Sequence, residues 1–126
     1  MTREELYGFE FDWFAIDKNN NIAFISSAGY GNIPDVVIQH REDYDNIVGS
    51  FSTPHYGTMQ IWDDYASYGL FVYDWEIYDG PYLKMKEPNE EMSEELRKKI
   101  MNIPSIPILS VDFLKSATLE GIQLLP

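Results

Sequence analysis

The polar residues that follow the first hydrophobic segment have the spacing of metal ligands. Asp17, Asn19 and Asn21 alternate as the ligands do in the first half of an EF-hand calcium loop. The second half is missing, because Ile22 stands where that loop needs glycine and Ala28 where it needs a bidentate glutamate. Asn and Asp side chains also bond to their own backbone in tight turns. We therefore predict a turn here and no metal ion.

Histidines and adjacent carboxylates are the other groups that could do chemistry. His40 and His55 could act as a general base or share a metal ion, but they are not spaced as ligands on one helix turn, and no serine-centred motif accompanies them. Asp63 next to Asp64 could form an acid–base pair. On a chain with 21 acidic residues such pairs arise by chance. We predict a non-catalytic protein with no catalytic residue, no metal and no cofactor.

A glycine-rich loop follows the second hydrophobic segment. Gly29 and Gly31 have the spacing of a phosphate-binding loop, but the third glycine of the dinucleotide pattern falls at Pro34. That pattern also requires a helix and a parallel strand after the loop, whereas a hairpin precedes it here. The sequence therefore favours a tight structural loop.

The chain is strongly acidic, with 9 basic and 21 acidic side chains and a net charge of −12 over 126 residues. Nucleic acids and anionic membranes would be repelled, because binding to either depends on Lys and Arg. No stretch has the length of a membrane helix or a signal peptide, and there is no cysteine. We predict a single cytoplasmic domain whose negative field speeds encounter with a basic protein.

Aromatic residues are abundant, with nine Tyr, seven Phe and three Trp. Tyr and Trp dominate the binding energy of many protein interfaces, although many of them can equally belong to the core. We predict that acidic side chains steer a basic partner and that tyrosines anchor it. The predicted partner-binding residues are Tyr30, Asp43, Tyr44, Asp45, Tyr56, Asp63, Asp64 and Tyr65.

The elements that must position these residues are read from hydrophobic periodicity. Strands are predicted at residues 9–16 and 22–27, joined by the turn described above, and again at residues 69–78 and 82–86. Residues 41–51, 60–68 and 90–101 are predicted as helices. Residues 36–39 are ambiguous, residues 106–111 read as an edge strand or an extended connection, and residues 112–119 as a short helix. We expect an α+β domain over residues 1–126, with a mainly antiparallel sheet built from two hairpins and helices packed on one side.

Three segments carry a resemblance to known proteins: residues 12–17 (DWFAID), 28–34 (AGYGNIP) and 69–75 (GLFVYDW). Together they resemble small bacterial proteins of unassigned biochemistry, some of which are similar to immunity proteins of polymorphic toxin systems. The resemblance implies a binding protein that neutralises a basic toxin by occlusion. It implies no active-site residues.

Two alternatives remain open at the level of sequence. The first is a small ligand-binding or enzymatic domain with a pocket near the loop of residues 29–34, where His55, Asp12 or Asp74 would supply polar groups. The second is a homo-oligomer whose aromatic side chains are buried between subunits.

Overall fold

The computed structural model describes residues 8–120, which form five strands and four helices. In chain order these are β1 Asp12–Ile16, β2 Ile22–Ser26, α1 Asp35–Gln39, α2 Arg41–Val48, α3 Ile61–Ala66, β3 Phe71–Asp74, β4 Tyr82–Lys86, α4 Glu94–Met101 and β5 Thr118–Leu119. The α+β class predicted from the sequence is confirmed.

The sheet is mixed, and the expectation of a mainly antiparallel sheet built from two hairpins is wrong. Its strand order follows the chain, β1 to β5. The pairs β1–β2, β3–β4 and β4–β5 are antiparallel, but β2 and β3 run parallel at the centre. Parallel neighbours need a long crossover connection, and here helices α1, α2 and α3 provide it.

The turn between β1 and β2 is organised by the carboxylate of Asp17, which is 1% exposed. Asp17 Oδ1 accepts hydrogen bonds from the backbone N–H groups of Asn19 and Asn21, both at 2.9 Å. Asp17 Oδ2 accepts one from the backbone N–H of Phe113 at 2.8 Å. The residues that resemble half of a calcium loop therefore cap a turn, as predicted, and Asp17 also ties that turn to a distant part of the chain.

Two predicted elements differ from those observed. The strand predicted at residues 69–78 is limited to β3, because its partner β2 ends at Ser26, whose carbonyl accepts the last bond from the Trp75 N–H. The chain then turns, and the Trp75 indole N–H bonds to Tyr78 O. The helix predicted at residues 112–119 is absent; a turn and the short strand β5 stand there instead. The physical reason is the completely buried Phe113, which packs against the ring of Tyr73 at 5.7 Å and holds this segment across the sheet.

The other predicted elements are present, β4 with the predicted bounds and the rest with shorter bounds, and the ambiguous residues 36–39 belong to α1. Residues 106–111 are an extended connection, which touches β1 through a parallel bridge between Ile16 and Ile108. Ser93 caps α4 by accepting a hydrogen bond from the N–H of Leu96.

Both faces of the sheet are buried. On one face, Phe14 and Phe24 pack against Tyr44 of α2 and Tyr65 of α3, respectively. On the other face the sheet curls, so that Trp13 of β1 approaches Tyr82 of β4 with ring centroids 6.3 Å apart.

Gly31 is required for space rather than for backbone freedom. A Cβ at this position would overlap the hydroxyl and ring of Tyr82, which is completely buried and donates a hydrogen bond to Asn32 O at 2.9 Å. We expect Gly31→Ala to lower the free energy of unfolding by about 2 kcal/mol, as overpacking does in well-packed cores. Denaturant unfolding followed by tryptophan fluorescence measures this.

Gly49→Ala is the matched control for that substitution. Gly49 has helical backbone angles at the end of α2 and its added Cβ would meet only backbone of the preceding turn. Its effect should stay within about 0.5 kcal/mol of zero. Equal effects of the two substitutions would contradict the packing argument for Gly31.

Candidate functional site

Cavities open on the described surface at the loop of residues 29–34 and beside the start of β1. One has a volume of about 370 Å³ and lies at the loop of residues 29–34, with Asn32, Trp75 and Tyr82 among its lining residues. The other has a volume of about 310 Å³ and lies between the start of β1 and helix α3. Glu10, Asp12, Phe24, Tyr56, Gly57, Thr58, Ile61, Trp62 and Tyr65 line the second cavity. We call it the acidic–aromatic pocket.

The carboxylates of this pocket continue into a row across the sheet. The strand register places Asp12 of β1 opposite Ser26 of β2, and Ser26 opposite Asp74 of β3. Residues paired in this way point to the same face. Ser26 Oγ donates a hydrogen bond to Glu10 Oε1 at 2.8 Å, which brings a third carboxylate to the row.

Asp12 is the most perturbed carboxyl group in this row. Burial raises its pKa to about 7, with further raising by the negative charge of Glu10 and, more weakly, of Asp74 and Asp45. Asp12 Oδ1 is buried and has no hydrogen-bond partner among residues 8–120. A hydrogen bond with the Ser26 side chain lowers the pKa of Asp12 but does not outweigh burial, so this group holds a proton at neutral pH in a substantial part of the molecules.

Asp74 behaves similarly at the other end of the row. Burial, followed by the negative charge of Glu76, raises its pKa to about 6. The Trp75 N–H, which donates to Asp74 Oδ1 at 2.9 Å, acts in the opposite direction by stabilising the ionised form. Two carboxyl groups that titrate near neutrality therefore lie on one face of neighbouring strands.

Aromatic side chains form the opposite wall of the pocket. Tyr65 stacks on Phe24 with ring centroids 3.8 Å apart and is 6% exposed. Trp62, one turn of α3 earlier, is half-buried, and Tyr56 stands at the rim with 79% of its surface exposed. The wall therefore combines a fixed interior ring with an accessible ring at the opening.

The rim loop that carries Tyr56 is fixed by Asp64. Asp64 Oδ2 accepts a hydrogen bond from the backbone N–H of His55 at 2.9 Å, and Asp64 Oδ1 lies 2.8 Å from His55 Nδ1. Burial acts to raise the pKa of Asp64, but the hydrogen bonds and charge of His55 outweigh it and hold that pKa below its usual value. Asp64 and His55 thus form a clamp that holds the rim loop against α3.

The predicted partner-binding residues divide into three groups. Tyr56 and Tyr65 line the pocket, with Asp64 behind its rim and Asp63 on the same helix, 3.1 Å from Lys86 Nζ. Asp43 and Asp45 are exposed on α2, and Tyr30 is 43% exposed beside Tyr78. Tyr44 is completely buried between Phe11 and Phe14, so its ring packs in the core and is not accessible to a partner.

The pocket expected near residues 29–34 is present as a cavity, but without the polar groups predicted for it. None of His55, Asp12 and Asp74 is among its lining residues. Asp12 lines the acidic–aromatic pocket instead, and His55 belongs to the clamp that holds the rim loop of that pocket.

Sequence reasoning missed Glu10, Asp12 and Trp62 as members of one site. The alternation of Glu10 and Asp12 with Phe9, Phe11 and Trp13 is visible in the sequence and marks one strand face as polar. The residues that this face contacts depend on how β1 pairs with β2 and on where α3 packs. Neither can be read from the residues of β1 alone.

The described part of the chain contains neither a cluster of metal-ligating side chains nor a membrane-spanning helix. Within residues 8–120, no group of three or more His, Asp or Glu side chains is arranged to hold a metal ion. No helix in the same part of the chain has the length and apolar character needed to cross a bilayer.

Comparison of the sequence and fold with protein-family models, curated proteins and solved structures finds no match.

Proposed function

We propose that this chain is a non-catalytic protein-binding domain that neutralises a basic partner by occlusion, as an immunity protein neutralises a toxin. The acidic–aromatic pocket is the observation that carries the proposal. It combines carboxylates with aromatic rings, which are the groups that hold basic side chains in protein interfaces. The absence of cysteine fits an action in the cytoplasm.

Long-range electrostatics supports the same partner class. A net charge of −12 attracts a basic protein and repels polyanions. Exposed carboxylates of Asp43 and Asp45 on α2 lie outside the pocket and are available for steering. Such groups act mainly on the association rate, whereas desolvated contacts act mainly on the dissociation rate.

The test first captures a partner protein and then measures its association and dissociation rates. The full chain is immobilised, proteins from cells that naturally produce it are passed over it, and any captured basic protein is purified for biosensor measurements. We expect the association rate to fall about tenfold or more between 50 and 300 mM salt, because steering is screened. We also expect the captured protein to lose its activity when bound.

A double variant separates steering from anchoring. Asp43→Asn with Asp45→Asn should slow association several-fold and leave the dissociation rate nearly unchanged. A captured partner whose association is insensitive to salt, or whose activity persists in the complex, would contradict the proposal.

A second candidate function, a small ligand-binding or enzymatic domain, is favoured by one observation. A carboxyl group whose pKa is raised to about 7 inside a cavity is suited to general acid catalysis. Incubation with a panel of chromogenic glycosides and esters distinguishes the two candidates. Turnover that disappears in Asp12→Asn would favour the enzyme.

A further inference from the structure

We infer that the acidic–aromatic pocket is a receptor for a single arginine side chain of the partner, whose guanidinium group lies between the Glu10–Asp12 carboxylates and the Trp62–Tyr65 wall. This inference rests on the proposed function, because it names the chemical group through which a basic partner would be anchored. Each part of it follows from a separate feature of the pocket.

Size is the first feature. A cavity of about 310 Å³ is at the small end of the range of roughly 300–1,000 Å³ that is typical of ligand sites in proteins. It suits one side-chain head group better than a folded segment. Its position between a strand end and a short helix leaves it open to a side chain that enters from outside.

The carboxylates supply the second feature. Glu10 is exposed and its Oε1 is already oriented by the hydroxyl of Ser26, while Asp12 lies deeper with an unpartnered Oδ1. A guanidinium group has five N–H donors in a fixed plane and can reach two carboxylates at once, whereas an ammonium group is a point charge. An entering arginine would bring its donors to Glu10 and to the part of Asp12 that lines the pocket.

The aromatic wall is the third feature, and it is independent of the charges. Cations are attracted to the faces of aromatic rings, and arginine also stacks on them through its planar group. Trp62 is the strongest ring type for this contact, and Tyr65 is held rigidly by its stacking on Phe24. A plain acidic surface, by contrast, would have no apolar wall to receive the arginine side chain.

No described basic side chain already fills this role. Among residues 8–120, Lys86 pairs with Asp63, Lys84 with Glu87 and Lys99 with Glu95, and no ion pair reaches Glu10 or Asp12. The carboxylates of the pocket are thus uncompensated within the described part of the chain.

Arginine binding should be linked to proton release. The groups that act on Asp12 are Glu10 before β1, Ser26 on β2, Asp74 on β3 and Asp45 on α2. Burial first, and then the negative charges among these groups, raise the pKa of Asp12 to about 7, while the hydrogen bond with Ser26 lowers it. Tyr65 on α3 faces it as a neutral phenol, since its own pKa is raised by burial and then by the charges of Asp12 and Glu10. A guanidinium group favours the ionised carboxylate, so affinity should rise with pH through about 7.

The test is a titration of the full chain with N-acetyl-arginine methylamide, followed by amide and indole NMR signals. We expect shifts at the Trp62 indole and at the Gly57 and Thr58 amides. Affinity should be about tenfold weaker at pH 6 than at pH 8, as the fraction of ionised Asp12 falls. The lysine analogue should bind several-fold more weakly, and the uncharged citrulline analogue at least about tenfold more weakly.

Two variants complete the test. Asp12→Asn should weaken arginine binding about tenfold or more and remove its pH dependence. Glu95→Gln, an exposed carboxylate on α4 that pairs only with Lys99, should bind as the wild type does. Equal binding of the citrulline analogue, shifts confined to other regions, or an unaffected Asp12→Asn variant would overturn the inference.

Failure of this inference and failure of the proposed function are distinguishable. If the arginine probe does not bind but a basic partner still associates in a salt-dependent way, only the anchoring role of the pocket is refuted. If the probe binds as expected and no basic partner is neutralised, the pocket assignment stands and the proposed function is refuted.

Discussion

Asp12→Asn should make the protein more stable at pH 8, by up to about 4 kcal/mol, although it removes a charge from the candidate site. The pKa of Asp12 is raised to about 7 in the folded protein by burial and by the negative charge of Glu10. In the unfolded chain the same carboxyl group titrates near 4. At pH 8 the folded protein must therefore bear a buried carboxylate that the unfolded chain hydrates freely.

The sign of the pH dependence follows from proton binding. Between about pH 4 and pH 7 the folded state binds the Asp12 proton more tightly than the unfolded state does, so this group makes stability fall as pH rises. The asparagine variant has no such proton, and its free energy of unfolding should fall less steeply over this window. As the pH falls to about 4 and below, the difference between the two proteins should approach zero, because Asp12 then becomes neutral in the unfolded chain as well as in the folded protein.

Denaturant unfolding at intervals from pH 4.5 to pH 8, with tryptophan fluorescence as the signal, measures this difference. Glu91→Gln is the control, since Glu91 is exposed ahead of α4 and should change the pH profile little. Two results would show that the surroundings of Asp12 do not hold it protonated. One is an Asp12→Asn variant that is less stable than the wild type at pH 8. The other is a variant whose free energy of unfolding falls with pH as steeply as that of the wild type.

Asp17→Asn should have the opposite effect and lower the free energy of unfolding by about 3 kcal/mol. Both oxygens of Asp17 accept hydrogen bonds, from the N–H groups of Asn19 and Asn21 on one side and of Phe113 on the other. An asparagine places an NH₂ group toward one of these sets of donors. A buried N–H then loses its acceptor, and removing one partner of a buried hydrogen bond is costly.

Asp112→Asn is the matched control for Asp17→Asn. Asp112 also accepts a hydrogen bond in a turn, from the Leu114 N–H at 3.0 Å, but this contact is exposed and a single amide oxygen can replace it. We expect a change below about 0.5 kcal/mol. If Asp17→Asn proved equally mild, the carboxylate would not be what joins the turn to residues near Phe113. Amide exchange at Phe113 offers an independent measurement, because it should accelerate in the Asp17 variant.

Local chemistry made part of this fold predictable from sequence. The first hairpin was predictable because strand periodicity on both sides meets a turn whose residues bond to their own backbone. Helix α4 was predictable because acidic residues begin it and basic residues end it, which suits the helix dipole. In each case the signal lies within a few residues of the element.

The central pairing of the sheet could not be predicted in the same way. Strand periodicity is identical for parallel and antiparallel neighbours, so nothing within Phe71–Asp74 indicates the direction in which it meets β2. The acidic–aromatic pocket depends on that register and on α3, so its carboxylates and aromatic rings looked like unrelated surface and core residues. Tyr44 shows the opposite error. Tyrosine is common at protein interfaces, so Tyr44 was predicted to bind a partner, but its side chain is completely buried in the core.

The parallel pairing of β2 and β3 also bears on how the chain is made. Hairpin β1–β2 can form as soon as it leaves the ribosome, but β3 is synthesised only after the whole helical crossover. Until then β2, whose five residues are all buried in the finished protein, offers an open hydrophobic edge to other chains. Non-local pairing of this kind is also slow to form. Chaperone engagement during synthesis should therefore concentrate on nascent chains in which β2 has emerged from the ribosome and β3 has not.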